Sequence, residues 1–242
     1  MKKAVTTMAG DGGTDAHALV TKSRKIMQLQ SEDRVSDLPD EILVSILSLL
    51  HTKQAVGTSV LAPRWRDLWT FTRHLKFVDC SIDGFLDDNY KAFQVKRTRF
   101  AVGVNQVLRL QKGTVTEFIL HFRTYTRKFT SDVDSWINFA LHNKVKRLNL
   151  EFTPLRSTWG SRYYLNTQIL QNYCPDSAYA PLNLVSFTYQ GPKTRISFKD
   201  TPRLIKASFG APHAGSIVKN ICQLPTQLET LELDLRDKVS ML

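Results

Sequence analysis

One pattern recurs along the chain after residue 72 and constrains the fold more than any other feature. It reads apolar-x-x-apolar-x-apolar, often with a further apolar residue two positions on. Alternation at two-residue steps is typical of a strand that buries one face. The pattern fits these segments: 115–122, 145–152, 184–189, 204–209 and 228–235, with 74–79 as a degenerate first copy. We therefore predict a set of short strands that share one buried face.

Helical patterns lie between these predicted strands. They cover residues 93–110, 132–142 and 216–224, and Asp132 is placed to cap the second, whose inward residues would be Trp136, Phe139 and Ala140. Strand and helix in alternation predict an α/β fold with a parallel sheet. This arrangement resembles a leucine-rich-repeat solenoid, in which parallel strands stack on one side and helices or loops on the other. Because the spacing between strands varies, the repeats would be irregular.

The segment before the repeats, residues 32–71, has a different pattern. A first helix is predicted from about Asp37 through an apolar run at 42–50, a second at 53–61 with Thr52 as its cap, and a third opened by Pro63. Three short helices of this size bury too little apolar surface to be stable alone. Their surplus apolar surface would either cap the following domain or contact a second protein, and the pattern alone leaves both possibilities open.

Residues 33–70 resemble the F-box, in the form found in plant F-box proteins with leucine-rich repeats. The matching residues include Leu38-Pro39-Asp40-Glu41-Ile42-Leu43, Ala55-Val56, Thr58-Ser59-Val60-Leu61 and Arg64-Trp65-Arg66. Two departures are Ala62-Pro63 in place of the usual Ser-Lys and His51 where proline is common. The resemblance implies docking on the adaptor Skp1, and through it on a cullin. By position the Skp1 contact would be made by nine residues: Leu38, Pro39, Ile42, Leu43, Ile46, Val56, Val60, Trp65 and Leu68.

Two downstream blocks, 131–152 and 180–191, resemble conserved blocks of the same plant family. Relatives carry several more repeats where this chain has only residues 153–179, and many continue into an FBD domain that is absent here. We therefore expect three parts: a mobile tail at 1–31, an F-box at 32–71 and a shortened leucine-rich-repeat-like domain at 72–242.

The formal net charge is +11, and the excess lies in the downstream part of the chain. An excess of this kind favours an acidic target protein, or an acidic small ligand that bridges to one. Outward positions at the strands would line that binding face: Lys146, Arg147, Lys206 and Ser208. Nucleic acid is disfavoured as a partner because the aromatic residues mostly occupy buried strand positions rather than an exposed face.

The sequence offers no catalytic motif. It contains no glycine-rich phosphate loop after a strand, no G-x-S-x-G elbow and no paired cysteine motif for a metal, so we expect no enzyme activity and no cofactor. Three scattered cysteines fit a reducing nuclear or cytoplasmic setting, and the apolar run at 42–50 is too short to span a bilayer.

The resemblance implies a substrate-recognition adaptor of an SCF-type (Skp1-cullin-F-box) ubiquitin ligase, with the repeats binding the target. The alternatives are a basic repeat module that binds an acidic partner or nucleic acid outside degradation, and a decayed adaptor whose repeat array is too short to fold stably.

Overall fold

The structure is a computed structural model, and it describes residues 35, 37–79, 90–152, 163–165, 183–192, 196, 198, 201–210 and 224–234. The predicted tail at 1–31 lies outside the described residues, as does the predicted helix at 216–224 except for Leu224. The chain divides between Leu43 and Val44 into two units.

The N-terminal described region consists of short helices. Helix α1 spans Asp40–Leu47 and α2 spans Thr52–Gly57, and three 3-10 helices follow at Thr58–Val60, Pro63–Arg66 and Leu68–Phe71. Helix α1 begins later than predicted, directly after Pro39, whose carbonyl accepts the N–H groups of Ile42 and Leu43 at 3.0 and 3.1 Å. Asp40 and Glu41 occupy its first turn, where the helix dipole favours negative charge.

The second and third predicted helices differ from those observed. Helix α2 ends at Gly57 because the hydroxyls of Thr58 and Ser59 donate to the carbonyls of Ala55 and Val56, both at 2.6 Å. Such back-bonding by Ser and Thr competes with regular helical geometry, which explains the 3-10 turn that follows. The predicted cap Thr52 is instead the first helical residue, after His51.

The third predicted helix is replaced by two 3-10 turns. Pro63 occupies the start of the first turn, as predicted, and Ala62 before it is extended and supplies no side-chain cap. The chain is then interrupted at Asp67, whose carbonyl accepts the hydroxyl of Thr70 at 2.7 Å. The hydroxyl of Thr72 donates in the same way to the carbonyl of Trp69 at 2.8 Å and ends the second turn.

A single sheet contains the strands of the described residues. The strands are β1 His74–Val78, β2 Glu117–His121, β3 Arg147–Glu151, β4 Ser186–Gln190, β5 Lys206–Gly210 and β6 Thr230–Asp234. They lie in sequence order, and every neighbouring pair is parallel. The prediction of a parallel sheet within an α/β fold is therefore confirmed, and every predicted strand segment overlaps an observed strand, β4 and β5 each extending one residue further.

The second and fourth residues of each strand point inward and form the core. In β1 to β5 they are apolar and buried: Leu75, Phe77, Phe118, Leu120, Leu148, Leu150, Phe187, Tyr189, Ala207 and Phe209. The leading residue of the sequence pattern is buried as well in four copies: Val115, Val145, Leu184 and Leu204. In β6 the equivalent residues Leu231 and Leu233 are partly buried.

Two longer helices cover the inward face of the first strands. Helix α3 spans Tyr90–Leu110 and α4 spans Thr130–His142, preceded by a 3-10 turn at Arg127–Phe129. The predicted inward residues of α4 are confirmed, since Trp136 and Ala140 are buried and Phe139 packs against the core. The helix starts two residues before the predicted cap Asp132, which instead accepts a hydrogen bond from Asn105 of α3 at 2.9 Å. The indole N–H of Trp136 donates to the same Asn105 at 2.5 Å.

The helical segment after Val44 is joined to β1 through two hydroxyl groups. Ser48 Oγ accepts the N–H of Arg73 at 3.2 Å, and Thr52 Oγ1 accepts the N–H of Lys76 at 2.7 Å. Strand β1 has no strand neighbour on that side within the described sheet. These hydroxyls therefore satisfy backbone donors that an edge strand would otherwise expose.

Among the helices the structure describes, none has both the length and the hydropathy needed to cross a membrane.

Candidate partner-docking surface

Exposed aliphatic side chains are concentrated in residues 44–61. Leu49, Val60 and Leu61 are 82%, 86% and 67% exposed, and Ile46 is also exposed. Their neighbours Leu47 and Ala55 are buried, so this segment has one apolar side turned inward and another in contact with solvent. A cluster of large exposed aliphatic residues in so short a segment indicates a protein-binding surface.

The unit before Val44 has its own exposed positions. Pro39 and Ile42 are exposed, Leu38 is partly buried and Leu43 is fully buried. Four of the nine residues predicted to contact a partner are thus exposed, namely Pro39, Ile42, Ile46 and Val60, while Leu38 and Val56 are partly buried.

The other three predicted contact residues are in the interior. Leu43 has no exposed surface, and Trp65 and Leu68 are each less than a tenth exposed. Trp65 and Leu68 are therefore buried in this structure, and their contact with Skp1 stays a prediction. Trp65 and Leu68 lie three residues apart in consecutive 3-10 turns, a spacing that brings side chains to the same side. Their role in this structure is to support the exposed positions rather than to form them.

Sequence reasoning did not single out Leu49 and Leu61 as surface residues. Leu49 belongs to a continuous apolar run, and such a run does not show which helix face is buried. Leu61 follows a short 3-10 turn. The available signal was the crowding of apolar residues at 42–50, which exceeds what one helix face can bury.

The outward face of the sheet carries polar side chains with balanced charge. The first, third and fifth strand residues include three Lys or Arg and four Asp or Glu: Lys76, Arg147 and Lys206, and Glu117, Glu151, Glu232 and Asp234. The predicted basic binding face is therefore not observed on the strands. Of the residues predicted for it, Lys146 and Arg147 are exposed and Lys206 and Ser208 are partly buried.

Neighbouring strands neutralise their charges through ion pairs across this face. The guanidinium of Arg147 donates to Glu117 at 2.9 Å, and this hydrogen bond raises the pKa of Arg147. Lys206 Nζ lies 2.6 Å from Glu232 Oε1, and the same contact lowers the pKa of Glu232. The registers of the parallel pairs place these partners on adjacent strands.

A polar cluster lies at the carboxyl ends of β2 and β3. Glu151 is buried and accepts a hydrogen bond from Arg123 Nε at 2.7 Å, and Nη2 of the same guanidinium lies 2.7 Å from the same oxygen. His121 Nδ1 lies 3.4 Å from the same carboxylate. Burial lowers the pKa of His121 and outweighs the opposing effect of Glu151. In the part of the chain that the structure describes, no three His, Cys, Asp or Glu side chains are grouped so that they could hold a metal ion.

Comparison with known proteins identifies the N-terminal segment. Residues 35–76 match the F-box domain. The chain is 40% identical over 121 residues to an F-box/FBD/LRR-repeat protein of Arabidopsis thaliana, a match that covers 50% of this chain and 26% of that protein. It is 30% identical over 223 residues to a putative FBD-associated F-box protein of the same plant, covering 85% of this chain and 48% of the relative.

The chain contains an F-box and is similar to plant F-box/LRR-repeat proteins. A third relative, a putative F-box/LRR-repeat protein of Arabidopsis thaliana, is 33% identical over 144 residues and is matched over 29% of its length. This F-box protein therefore spans less than half the length of these three relatives. No solved structure matches it.

Proposed function

We propose that this F-box protein is a substrate-recognition adaptor of an SCF-type ubiquitin ligase. The F-box, residues 32–71, would bind Skp1 and through it a cullin, and residues 72–242 would bind a target protein for ubiquitination. In this role the chain needs no catalytic residue, because other subunits would carry out the transfer of ubiquitin. Its three cysteines fit a reducing compartment, the nucleus or the cytoplasm.

The observation that supports the adaptor end is the F-box match together with the exposed aliphatic residues within it. An F-box that folded only to cap its own chain would bury its large apolar side chains. Here Ile46, Leu49, Val60 and Leu61 remain exposed although their neighbours Leu47 and Ala55 are buried. Interface energy is concentrated in a few central apolar anchors, so we expect loss of one or two of them to weaken Skp1 binding strongly.

Support for a leucine-rich-repeat solenoid in residues 72–242 comes from one backbone hydrogen-bond arrangement that recurs at every pair of neighbouring strands. The carbonyl of the residue next to the strand accepts two successive N–H groups of the following repeat. For example, Arg73 O accepts from Thr116 and Glu117 at 2.8 and 3.2 Å. The same arrangement recurs with the carbonyls of Thr116, Lys146, Val185 and Ile205 as acceptors. A repeated step of this kind is the basis of solenoid architecture.

The outward strand face is the surface we propose for the target. Solenoids commonly offer such a face as an extended binding surface. Its central positions Asn149, Thr188 and Ser208 are neutral hydrogen-bonding residues on three adjacent strands. Because the charges around them are paired, this face suits a polar target segment and does not by itself require an acidic one.

The adaptor role is tested by binding of the purified full chain to purified Skp1. The variant Ile46→Asp plus Val60→Asp places charge at two exposed F-box positions. We expect at least a tenfold loss of affinity, equivalent to about 1.4 kcal/mol or more. Folding should be little affected because both side chains are already exposed.

The matched control is Ile205→Asp, which changes an isoleucine of similar exposure in the segment before β5. It should bind Skp1 like the unchanged chain. Absence of binding by the unchanged chain, or equal binding by all three proteins, would contradict the proposed docking.

A further inference from the structure

Helix α3 carries a high density of positive charge. Its sequence, YKAFQVKRTRFAVGVNQVLRL, contains Lys or Arg at 91, 96, 97, 99 and 109 and contains no Asp or Glu. Lys112 lies two residues after the end of the helix. The basic excess that the sequence assigns to the downstream region is therefore concentrated on this helix, whereas the strand face has balanced charge.

Burial shows which side of α3 is turned outward. Ala101 and Val104 are buried in the core, and Phe100, Val107 and Leu108 pack against it. The opposite side presents exposed residues at helical spacing: Val95, Arg99, Val102, Gln106 and Arg109. At a rise of about 1.5 Å per residue, this stripe is about 21 Å long. Lys96 flanks it and is also exposed.

The cations of this outward stripe differ from those of the sheet in their pairing. In or next to the sheet, Arg123, Arg147 and Lys206 each have a carboxylate partner within 3.0 Å, whereas Lys76 of β1 has no ion pair among the described residues. Within the described residues, no ion pair involves Lys96, Arg99 or Arg109. Among the residues that the structure describes, nothing neutralises their charge, so it remains available to a partner.

The stripe also exposes aliphatic surface between the charges. Val95 is 48% exposed and Val102 is 58% exposed. Valine is a poorer helix former than alanine, lysine or glutamine, so an exposed valine on a helix is not explained by helix stability. Contact with an apolar group of a partner would explain both residues. The stripe thus alternates apolar and basic positions from Val95 to Val102.

We propose that the outward stripe of α3 is a second interaction surface and that its partner is an acidic protein segment with interspersed aliphatic side chains. Opposite charge along the stripe provides the complementarity, and the valines provide the apolar contacts. This surface is separate in sequence from the F-box and does not depend on its binding to Skp1.

The composition of the stripe distinguishes this partner from two others. Binding of single-stranded nucleic acid uses exposed aromatic side chains for base stacking, and the described outward stripe contains none. Membrane-surface helices separate a broad apolar face with bulky residues from a basic face, whereas here small valines are interleaved with arginines. The pattern favours a segment that carries carboxylates and aliphatic groups together.

The test uses the full chain and a labelled synthetic peptide of about sixteen residues in which Asp or Glu alternates with Leu. A peptide with Asn and Gln in place of Asp and Glu is the probe control. The variant Lys96→Glu plus Arg99→Glu should weaken binding of the acidic peptide at least about tenfold at low salt, because two attractive contacts become repulsive. Val95→Ser plus Val102→Ser should weaken it by a smaller factor.

The matched control is Arg127→Glu plus Lys128→Glu, which makes the same charge change at two exposed basic residues outside α3 and outside the strands. It should retain affinity within about twofold if the stripe is the site, because distant exposed charges are screened. Circular dichroism and thermal unfolding verify that each variant is folded. Equal loss in both double variants would overturn the proposal. Tighter binding to an oligothymidine or to phosphatidylserine vesicles than to the acidic peptide would also overturn it, in favour of that partner.

Discussion

In the sheet, the inward residues of β1 to β5 are all less than a tenth exposed, whereas residues 44–61 leave Leu49, Val60 and Leu61 mostly exposed. Both regions are rich in aliphatic residues, so composition does not distinguish them. The difference lies in whether the chain supplies its own partner for each apolar side chain. Stability should therefore depend mainly on the sheet and its helices, and binding on the helical segment. Changes in one region should affect one property and leave the other nearly intact.

The largest expected effect is on the core. Phe122 has no exposed surface, and its ring lies 4.9 to 6.1 Å from the rings of Phe100, Tyr125, Phe129 and Trp136. Phe122→Ala should lower the free energy of unfolding by about 3–5 kcal/mol, measured by denaturant titration. Leu49→Ala, at a mostly exposed position, should change it by less than about 0.5 kcal/mol. Similar losses in the two variants would break the comparison, since Leu49 would then be buried in solution.

The second effect tests a buried ion pair of the sheet. Arg123→Met removes the guanidinium that contacts the buried Glu151 carboxylate and, among the described residues, leaves His121 at 3.4 Å as its ion-pair partner. Since Arg123 is itself partly exposed, we expect a loss of about 2–3 kcal/mol, less than for a fully buried pair. Arg147→Met, which breaks the more exposed pair with Glu117, should cost about 0.2–1 kcal/mol. A larger loss for Arg147→Met would show that burial does not determine the strength of these pairs.

A third change tests the connection between the two regions. Thr52→Val removes the acceptor of the Lys76 N–H, and a buried unsatisfied donor costs about 1–2 kcal/mol. Thr58→Val is the matched control, because the Thr58 hydroxyl bonds only a carbonyl of the preceding helical turn. We expect Thr58→Val to cost less. Equal effects would indicate that the contact with β1 contributes nothing to stability.

The smallest effect concerns pH. The pKa of His121 is lower in the folded chain than its usual 6.5. As pH falls below about 6.5, the unfolded chain therefore takes up this proton before the folded chain does, and the free energy of unfolding decreases. Above that pH, His121 is neutral in both states and its contribution is constant. His121→Gln should make the decrease between pH 7 and pH 5 shallower, as measured by thermal or denaturant unfolding at each pH. An unchanged slope would assign the pH response to groups other than His121.

The sequence predicts the sheet well, and the reason is local. In β2 the buried residues Phe118 and Leu120 alternate with the partly buried Glu117, Ile119 and His121. This two-residue period is a property of the strand itself and does not depend on what the strand packs against. The leading residue of the pattern, Val115 in this repeat, lies two positions before the strand. Equivalent pattern positions of β1, β2 and β3 are paired in the sheet.

The candidate site is less predictable because it depends on contacts between distant residues. The burial of Trp65 and the exposure of Leu61 follow from 3-10 turns, whose hydroxyl-to-carbonyl bonds a helical pattern does not reveal. The charge balance of the strand face depends on pairs thirty and twenty-six residues apart, Arg147 with Glu117 and Lys206 with Glu232. For the same reason, counting charges does not show that Lys96, Arg99 and Arg109 have no ion pair within the described residues.

The two hydroxyls that meet β1 also bear on self-association. A parallel sheet has two unlike edges, so copies could polymerise through strand addition only in one direction, the last strand of one copy meeting the first strand of the next. At β1 the backbone donor of Lys76 is already occupied by Thr52, and that of Arg73 by Ser48. An incoming strand would have to displace the helical segment before it could pair. The helical segment that we propose for adaptor binding thus also blocks strand addition at the β1 edge and, with it, growth of a fibre.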